Sequence, residues 1–378
     1  MTTAITGMGA VASIGGNVDE FFAALCAGRT GNAPLRVFDT ERYRSRNAYE
    51  IDDRPAGGPD TAMRTTTYLI TAIEQALRAA GMSDDLSGVP VLVGTGLREL
   101  RSLELWHRDR AAFGPDDLHF GAALRAKFGA LTTHTFSNAC AASLYALAMG
   151  ADLIEQRSSD VVVVAGVDMI SESMFGLVER IHPKAPDVVR PFDRNRLGAV
   201  MGEGAAAVVL RRADPAADEA TALLRGVGVN CDAYHVTAPS PAGMATAMRD
   251  AHRRAGVTPA DVGLVMLHGT GTMLNDEAEA TALADVFGPA ARDPLMTATK
   301  CMTGHTSGAS GLLGLITAVR ALRDGVVPPT IGLDDLVDEA EGFRIVTGEQ
   351  ATHRARRAQV NAFGFGGINA VAIVEVDE

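Results

Sequence analysis

Two segments far apart in the chain end on the same pattern. MGEGAAAVVLRR at Met201–Arg212 and FGGINAVAIVEV at Phe365–Val376 each run a glycine-containing turn into an apolar strand, like matching hairpins. The stretches before them also match in kind. In the first, strand patterns at Thr3–Ile14, Val89–Gly94, Thr132–Phe136 and Val161–Val164 alternate with helix patterns at Val18–Ala27, Thr66–Gly81 and Ala141–Gln156. In the second, strands at Val262–Leu267 and Leu295–Thr299 precede a glycine-rich helix pattern from Gly304 to Leu322. Val161–Val164 is wholly apolar, as a strand buried on both faces of a parallel sheet would be. Strand–helix alternation with right-handed crossovers gives layered α/β units. Its recurrence predicts an internal duplication, 1–212 and 213–378. No low-complexity linker divides the halves, so one intimate body is expected. Of 378 residues 47% are hydrophobic but only 5% aromatic, and 40 are glycine. The core is therefore aliphatic, with backbones approaching closely at glycines.

Charge and cysteine usage exclude several classes. The net charge of −12 argues against nucleic-acid binding, although an acidic chain can still carry a local basic patch for an acidic partner. Cys26, Cys140, Cys231 and Cys301 are scattered, with no C-x-x-C pair, so neither a zinc site nor a disulfide framework is indicated. That usage fits a reducing, cytoplasmic compartment. No run of about 18 apolar residues is present, so no membrane span is expected. The start of the chain reads as a strand and a glycine turn and not as a targeting segment.

Four motifs could carry chemistry. In FSNACAASLYALAMG, Cys140 falls where a strand pattern gives way to a helix pattern. Free N–H groups and the helix dipole at such a junction favour a thiolate. Read alone, Cys140 fits a buried structural cysteine better. In VMLHGTGTMLNDEAEA, His268 ends an apolar strand, the place where ligands bind in α/β folds. It could move a proton or donate to a carbonyl, or be a satisfied histidine in a turn. In ATKCMTGHTSGASG, Lys300 is one of only three lysines, and His305 follows five residues later. A buried cation there would keep His305 neutral. The glycine-rich run lacks the spacing of a phosphate loop. In VNAFGFGGINAV, Phe365 stands among Gly364, Gly366 and Gly367. It reads as a bulky tip able to gate a pocket, or as a tight turn before the last strand.

Taken together, and in this order, the cysteine, H-G-T-G-T, K-x-x-x-x-H and N-A-F-G-F-G-G-x-N resemble the β-ketoacyl synthase family. RPFDRNRLGAVMGEGAAAVVL at Arg190–Leu210 and CDAYHVTAPSP at Cys231–Pro241 are also similar to family segments. The resemblance implies an α/β thiolase fold with a duplicated five-layer αβαβα core, and a homodimer or a heterodimer with a ketosynthase-like subunit. It implies decarboxylative Claisen condensation of an acyl group on Cys140 with malonyl-acyl carrier protein. His268 and His305 would stabilise the enolate, and Lys300 would order His305. The Cys140 and Phe365 N–H groups would form the oxyanion hole. Thr270, Thr272, Phe365 and Gly366 would bind the substrate arm, with Phe365, Asp232 and Thr237 as a gate. Glu279 and Asp276 would form a polar network behind the site, and Arg64 and Arg190 would meet the carrier protein. Beyond the carrier's phosphopantetheine, neither cofactor nor metal is implied.

Within the family, a thiolase would carry a second cysteine near the last motif, and a priming synthase would have Asn in place of His305. An inactive partner subunit would lack Cys140. The chain matches the elongating Cys–His–His type. It departs from the pattern at Ser137–Asn138, where Thr usually precedes Ala-Cys, and in short stretches at Gly96–Phe136 and Arg42–Thr65. Those trimmed regions suggest polyketide or specialised fatty-acid synthesis. An acyltransferase moving its acyl group to an amine or alcohol without decarboxylation is the other enzymatic reading. A non-catalytic scaffold is the third.

Overall fold

The computed structural model describes residues 3–53, 60–181, 184–213 and 220–377. Five strands of the main sheet come from the first half: β1 (Thr3–Ala12), β2 (Val91–Gly94), β3 (Thr133–Phe136), β4 (Val161–Asp168) and β5 (Gly204–Arg212). The second half holds β6 (Ala222–Cys231), β7 (Leu264–Met266), β8 (Leu295–Thr297), β9 (Arg344–Ile345), β10 (Arg357–Gly364) and β11 (Ile368–Glu375). Helices are α1 (Val18–Cys26), α2 (Arg64–Ala79), α3 (Leu100–His107), α4 (Gly121–Phe128), α5 (Ala142–Glu155) and α6 (Glu172–Ile181) in the first half. They continue as α7 (Pro241–Ala255), α8 (Met273–Phe287), α9 (Lys300–Thr303) and α10 (Ser310–Asp324) in the second.

One hydrogen-bonded sheet runs β9-β8-β7-β10-β11-β6-β1-β5-β4-β2-β3. Read outward from the central β6–β1 pair, both halves have the same order: first, fifth, fourth, second, third strand. In each half the fifth strand is antiparallel to its neighbours, while the second pairs in parallel with the third and the fourth. This is the duplicated thiolase topology, with β9 as an addition at one edge.

Apolar side chains sort into layers. Leu144, Leu147 and Ile154 of α5 share a central cluster with Leu312, Leu315, Ile316 and Val319 of α10, and with strand residues of both halves. Leu69, Ile73 and Leu77 of α2 cover the outer face of the first half. Met244 and Met248 of α7 and Leu283 of α8 cover that of the second. The order is therefore helix, half-sheet, central helices, half-sheet, helix. β4 explains its unbroken apolar sequence: Val162 and Val164 face the central helices while Val163 and Ala165 face α2's layer.

Three expectations are corrected. Met201–Arg212 is not a hairpin like the β10–β11 pair; β5 meets β4 only after the long excursion 169–203, and its strand begins at Gly204. No continuous helix runs from Gly304: α9 stops at Thr303, and α10 starts at Ser310 after a break with Gly304 at φ 67 and Ser307 at φ 47. The Arg42–Pro59 loop contains a short strand, Asn47–Ala48, and its last residues, 54–59, lie outside the described residues.

Glycines set how near the central helices come to the strands. A Cβ on Gly94 would lie 2.4 Å from the Ala142 carbonyl carbon and the Ser143 nitrogen. Backbone cannot yield cheaply there, so Gly94→Ala is expected to cost about 1–3 kcal/mol by overpacking. A lower urea midpoint at unchanged m would report it. An unchanged midpoint would mean that α5 does not approach β2 this closely.

Candidate active site

The chain leaves β3 at Phe136 and turns sharply at Ala139, whose φ is 48. A single 3-10 turn, Ala139–Ala141, then carries Cys140 ahead of α5. The loop after β10 packs against this elbow. A Cβ on Gly364 would stand 3.3 Å from the Cys140 nitrogen and 3.4 Å from the Ala139 Cβ, so glycine suits that position. His305 sits in the break between α9 and α10, with its Nε2 3.0 Å from the Cys140 Sγ. Its backbone is clamped by the first half: the His305 N–H donates to the Val200 carbonyl (2.8 Å), and the Gly202 N–H donates to the His305 carbonyl (3.1 Å). The Arg190–Leu210 segment thus holds a residue of the other half in place. His268, just beyond β7, is buried, with its ring 5.7 Å from that of His305 and 5.8 Å from Phe363. Lys300 opens α9; its Nζ lies 3.4 Å from His268 Nδ1 and also bonds the His268 carbonyl.

These partners fix the ring tautomers. The Ser307 backbone N–H can only donate, and it points at His305 Nδ1 (3.2 Å). An ammonium likewise only donates, so His268 Nδ1 accepts from Lys300. Each neutral imidazole is left with its hydrogen on Nε2, as a donor.

Burial dominates the electrostatics. It holds His268 well below its usual range and His305 down to about 3, with the Lys300 cation adding to both. Both are neutral at physiological pH. Burial also lowers Lys300 to about 8, while the Glu279 carboxylate opposes the shift. The Cys140 thiol is pushed up to about 11 by burial, with Lys300 and the Phe365 and Cys140 backbone N–H groups acting the other way. The thiolate expected from the helix terminus is therefore not the resting form: desolvation outweighs the N–H groups.

Behind the histidines lies Glu279. It accepts from the His268 N–H (2.7 Å), the Gly269 N–H (2.9 Å) and Asn361 Nδ2 (3.0 Å). Asp276 accepts from the Phe192 N–H (2.8 Å) and is linked through Asn275 to Glu279. Thr270 and Thr272 bond each other (2.9 Å), and Thr272 also caps α8. Phe365 is 41% exposed at the mouth. The Gly366 N–H donates to the Val236 carbonyl, and the Asp232 N–H to the Gly367 carbonyl, so the 232–237 and 364–367 loops form one unit. Thr237 is exposed on it.

The two arginines part company. Arg190 is partly exposed, near Asp334 at 3.8 Å. Arg64 is buried, with its guanidinium bonded to both oxygens of Glu203 and to Asp53. It cannot serve as a surface cation for a carrier protein. Asp168 was not singled out from sequence. Fully buried, it accepts from Thr95 Oγ1 and the N–H groups of Gly96, Leu97 and Gly308, tying the loop after β2 to the approach to α10. A lone aspartate ending an apolar strand was its only signal.

Cys140, His268 and His305 each bring one potential ligand atom within 4.8 Å of the others. A metal ion fits them poorly. Both Nε2 atoms carry hydrogen, both Nδ1 lone pairs are engaged, and the Lys300 ammonium would repel a cation. Among the described residues no helix is long and apolar enough to cross a membrane.

The thiol can be titrated through its reactivity. Alkylation of Cys140 by iodoacetamide, followed by peptide mass mapping, should accelerate steadily from about pH 6 to 9, since only the thiolate reacts. Lys300→Met should slow it at neutral pH, because the cation that favours the thiolate is gone. A rate flat across that range would reveal a preformed thiolate.

Sequence and structure comparisons agree on one family. The profile "Beta-ketoacyl synthase, N-terminal domain" matches residues 2–216, and "Beta-ketoacyl synthase, C-terminal domain" matches 221–334. The chain is 30% identical to 3-oxoacyl-[acyl-carrier-protein] synthase 2 of Coxiella burnetii, covering 98% of this chain and 97% of that one. It is 32% identical to the chloroplastic 3-oxoacyl-[acyl-carrier-protein] synthase I of Hordeum vulgare, over 98% and 88%. Among solved structures, the ishigamide ketosynthase/chain length factor superposes with a TM-score of 0.89 at 31% identity, over 100% of this chain and 99% of that one.

Proposed function

Because the chain belongs to the β-ketoacyl synthase family, we propose that it catalyses decarboxylative Claisen condensation between an acyl group on Cys140 and a malonyl thioester on an acyl carrier protein. The observation that carries this reading is the Cys140 Sγ 3.0 Å from His305 Nε2, beside a second neutral imidazole that also keeps its hydrogen on Nε2.

In the first step the Cys140 sulfur attacks the acyl thioester. The phosphopantetheine thiol leaves with the proton, and the acyl group stays on the enzyme. The malonyl thioester then enters. Its C–C bond to the carboxylate breaks, carbon dioxide departs, and the electron pair moves to the thioester oxygen as an enolate. The Nε2–H groups of His268 and His305 donate to that oxygen. The enolate carbon attacks the acyl carbon on Cys140. The resulting oxyanion is held by the N–H groups of Cys140 and Phe365, and collapse releases the sulfur as thiolate to be reprotonated. Lys300 acts on His268 directly and on His305 through its field, and Glu279 keeps that lysine charged.

Thr270, Thr272 and Gly366 line the path of the phosphopantetheine arm, and the joined loops bearing Phe365, Asp232 and Thr237 open and close it. Arg190 remains as a cation for the acidic carrier. The chain needs no cofactor of its own and works in the cytoplasm, in polyketide or specialised fatty-acid synthesis. Residues 1–212 and 213–378 act as its two repeat units.

Loading is expected on the wild type as a mass increase equal to the acyl group after incubation with acyl-carrier thioesters. Cys140→Ala should abolish both that increase and condensation. His305→Ala should still load but lose carbon dioxide release by roughly 10²–10³-fold, the effect of deleting one oxyanion donor. If His305→Ala left turnover intact, transfer without decarboxylation would replace condensation.

The chain pairs as a dimer, with itself or with a ketosynthase-like subunit, through β3. The Thr132 and Phe136 carbonyls accept from β2, so the intervening Thr133 and Thr135 turn their N–H groups to the free edge. Thr135→Pro removes an outward donor and spares the β2 ladder. Light scattering should then show a monomer where the wild type is a dimer; a dimer in both would exclude this edge.

A further inference from the structure

A line of buried polar side chains leads from the outer helix α7 to the catalytic pocket. His252 Nε2 lies 2.6 Å from Gln359 Oε1, Gln359 Nε2 2.8 Å from Asn361 Oδ1, and Asn361 Nδ2 3.0 Å from Glu279 Oε1. All four residues are 5% exposed or less. His252 is buried on α7, a helix of the second half's outer aliphatic layer, with its ring edge-on to Phe287 of that layer at 5.6 Å. A leucine would fill that place without desolvating a polar group.

The polarity of the line follows from its end. The Glu279 carboxylate already accepts from the His268 and Gly269 N–H groups, so Asn361 must offer it the amide nitrogen. The Asn361 oxygen then faces Gln359, whose nitrogen must donate. The Gln359 oxygen is left for His252, so that ring carries its hydrogen on Nε2. Every donor points toward Glu279. Turning either amide would set two oxygens against each other, and moving the His252 hydrogen to Nδ1 would set a ring lone pair against the Gln359 oxygen.

We propose that His252 and Gln359 are positioning residues for condensation: through Asn361 they lock the Glu279 carboxylate beneath His268 and Lys300. The inference rests on the condensation reading above. With Gln359 removed, the Asn361 oxygen loses its donor and the side chain is free to swing away from the carboxylate, weakening its bond to Glu279; His252 acts one link further out, by holding Gln359 in place. Glu279 then shifts or takes a proton, and Lys300 loses the carboxylate that acts on it most strongly. The other groups facing Lys300 are Cys140, Asp276, His268 and His305. None of them replaces a carboxylate held by two backbone N–H groups. Glu279 favours the charged form of Lys300, so weakening it moves the loss of that charge to lower pH.

The test compares Gln359→Leu, the double variant His252→Leu/Gln359→Leu, and His252→Gln, which keeps an N–H near the place of the ring donor. Condensation rate and Cys140 alkylation are both followed against pH. Gln359→Leu and the double variant should each lose about tenfold in kcat with KM nearly unchanged, and the alkaline limb of the rate profile should fall by about one pH unit. The double variant, with apolar groups filling both places, should melt close to the wild type, so folding does not obscure the result. His252→Gln should behave as wild type. A double variant with wild-type kcat and limb would overturn the inference and leave His252 and Gln359 as core filling. Wild-type protein that loads Cys140 but never condenses would instead overturn the reaction itself.

Discussion

The site depends on how closely the starts of α5 and α10 meet between the two half-sheets. A Cβ on Gly311 would sit 2.6 Å from the Leu144 Cγ and 3.0 Å from the Ser143 Oγ, and one on Gly308 would sit 2.5 Å from the Thr95 Cα. The Ser143 hydroxyl accepts from the Leu312 N–H (3.2 Å), joining the two helices directly. Cys140 precedes one helix and His305 the other. Their 3.0 Å contact is a consequence of this approach, which larger side chains would prevent.

The same closeness sets the chemistry. Packing that brings the helix starts together also strips water from Cys140, His268, Lys300 and His305. Desolvation leads the list of influences on all four, and it acts in the sense that leaves each group uncharged. For the imidazoles this is useful, since neutral rings with hydrogen on Nε2 can receive a developing negative charge. For the lysine it is opposed by Glu279, which restores a cation at neutral pH. For the thiol it means a neutral resting group, with Lys300 and the Phe365 and Cys140 backbone N–H groups favouring its charged form.

The sequence carried β1 to β5, β7, β8 and β11 and the helix α5, because apolar periodicity and glycine stops are local, while β6, β9 and β10 went unread. It set Cys140, His268, Lys300 and His305 in recognisable motifs, and the fold brings these four side chains together. It did not carry the break before α10, since a Gly/Ser/Ala run satisfies helix and turn patterns alike, and the break is held by Val200, Gly202 and Asp168 from the other half. Arg64 misled for a similar reason. Its burial depends on Glu203, distant in sequence, and an arginine in a polar stretch reads as exposed until that partner is placed. Asp168, His252 and Gln359 were illegible because each is explained by partners from other elements.

Duplication accounts for the division of labour. Each half has a junction between its third strand and its central helix. In the first half that junction carries Cys140, and in the second it carries Lys300 and His305. The turn after the second strand gives Thr95 and Gly96 in one half and His268 in the other. Each half also secures that turn with a buried carboxylate that accepts backbone N–H groups: Asp168 at Gly96 and Leu97, Glu279 at His268 and Gly269. The carboxylates come from different elements, the end of β4 and the middle of α8, so the solutions are analogous in physics without being copies. A frame that holds both turns rigid leaves one to set the His268 ring beside His305 while the other braces the opposing helix through the Gly308 N–H.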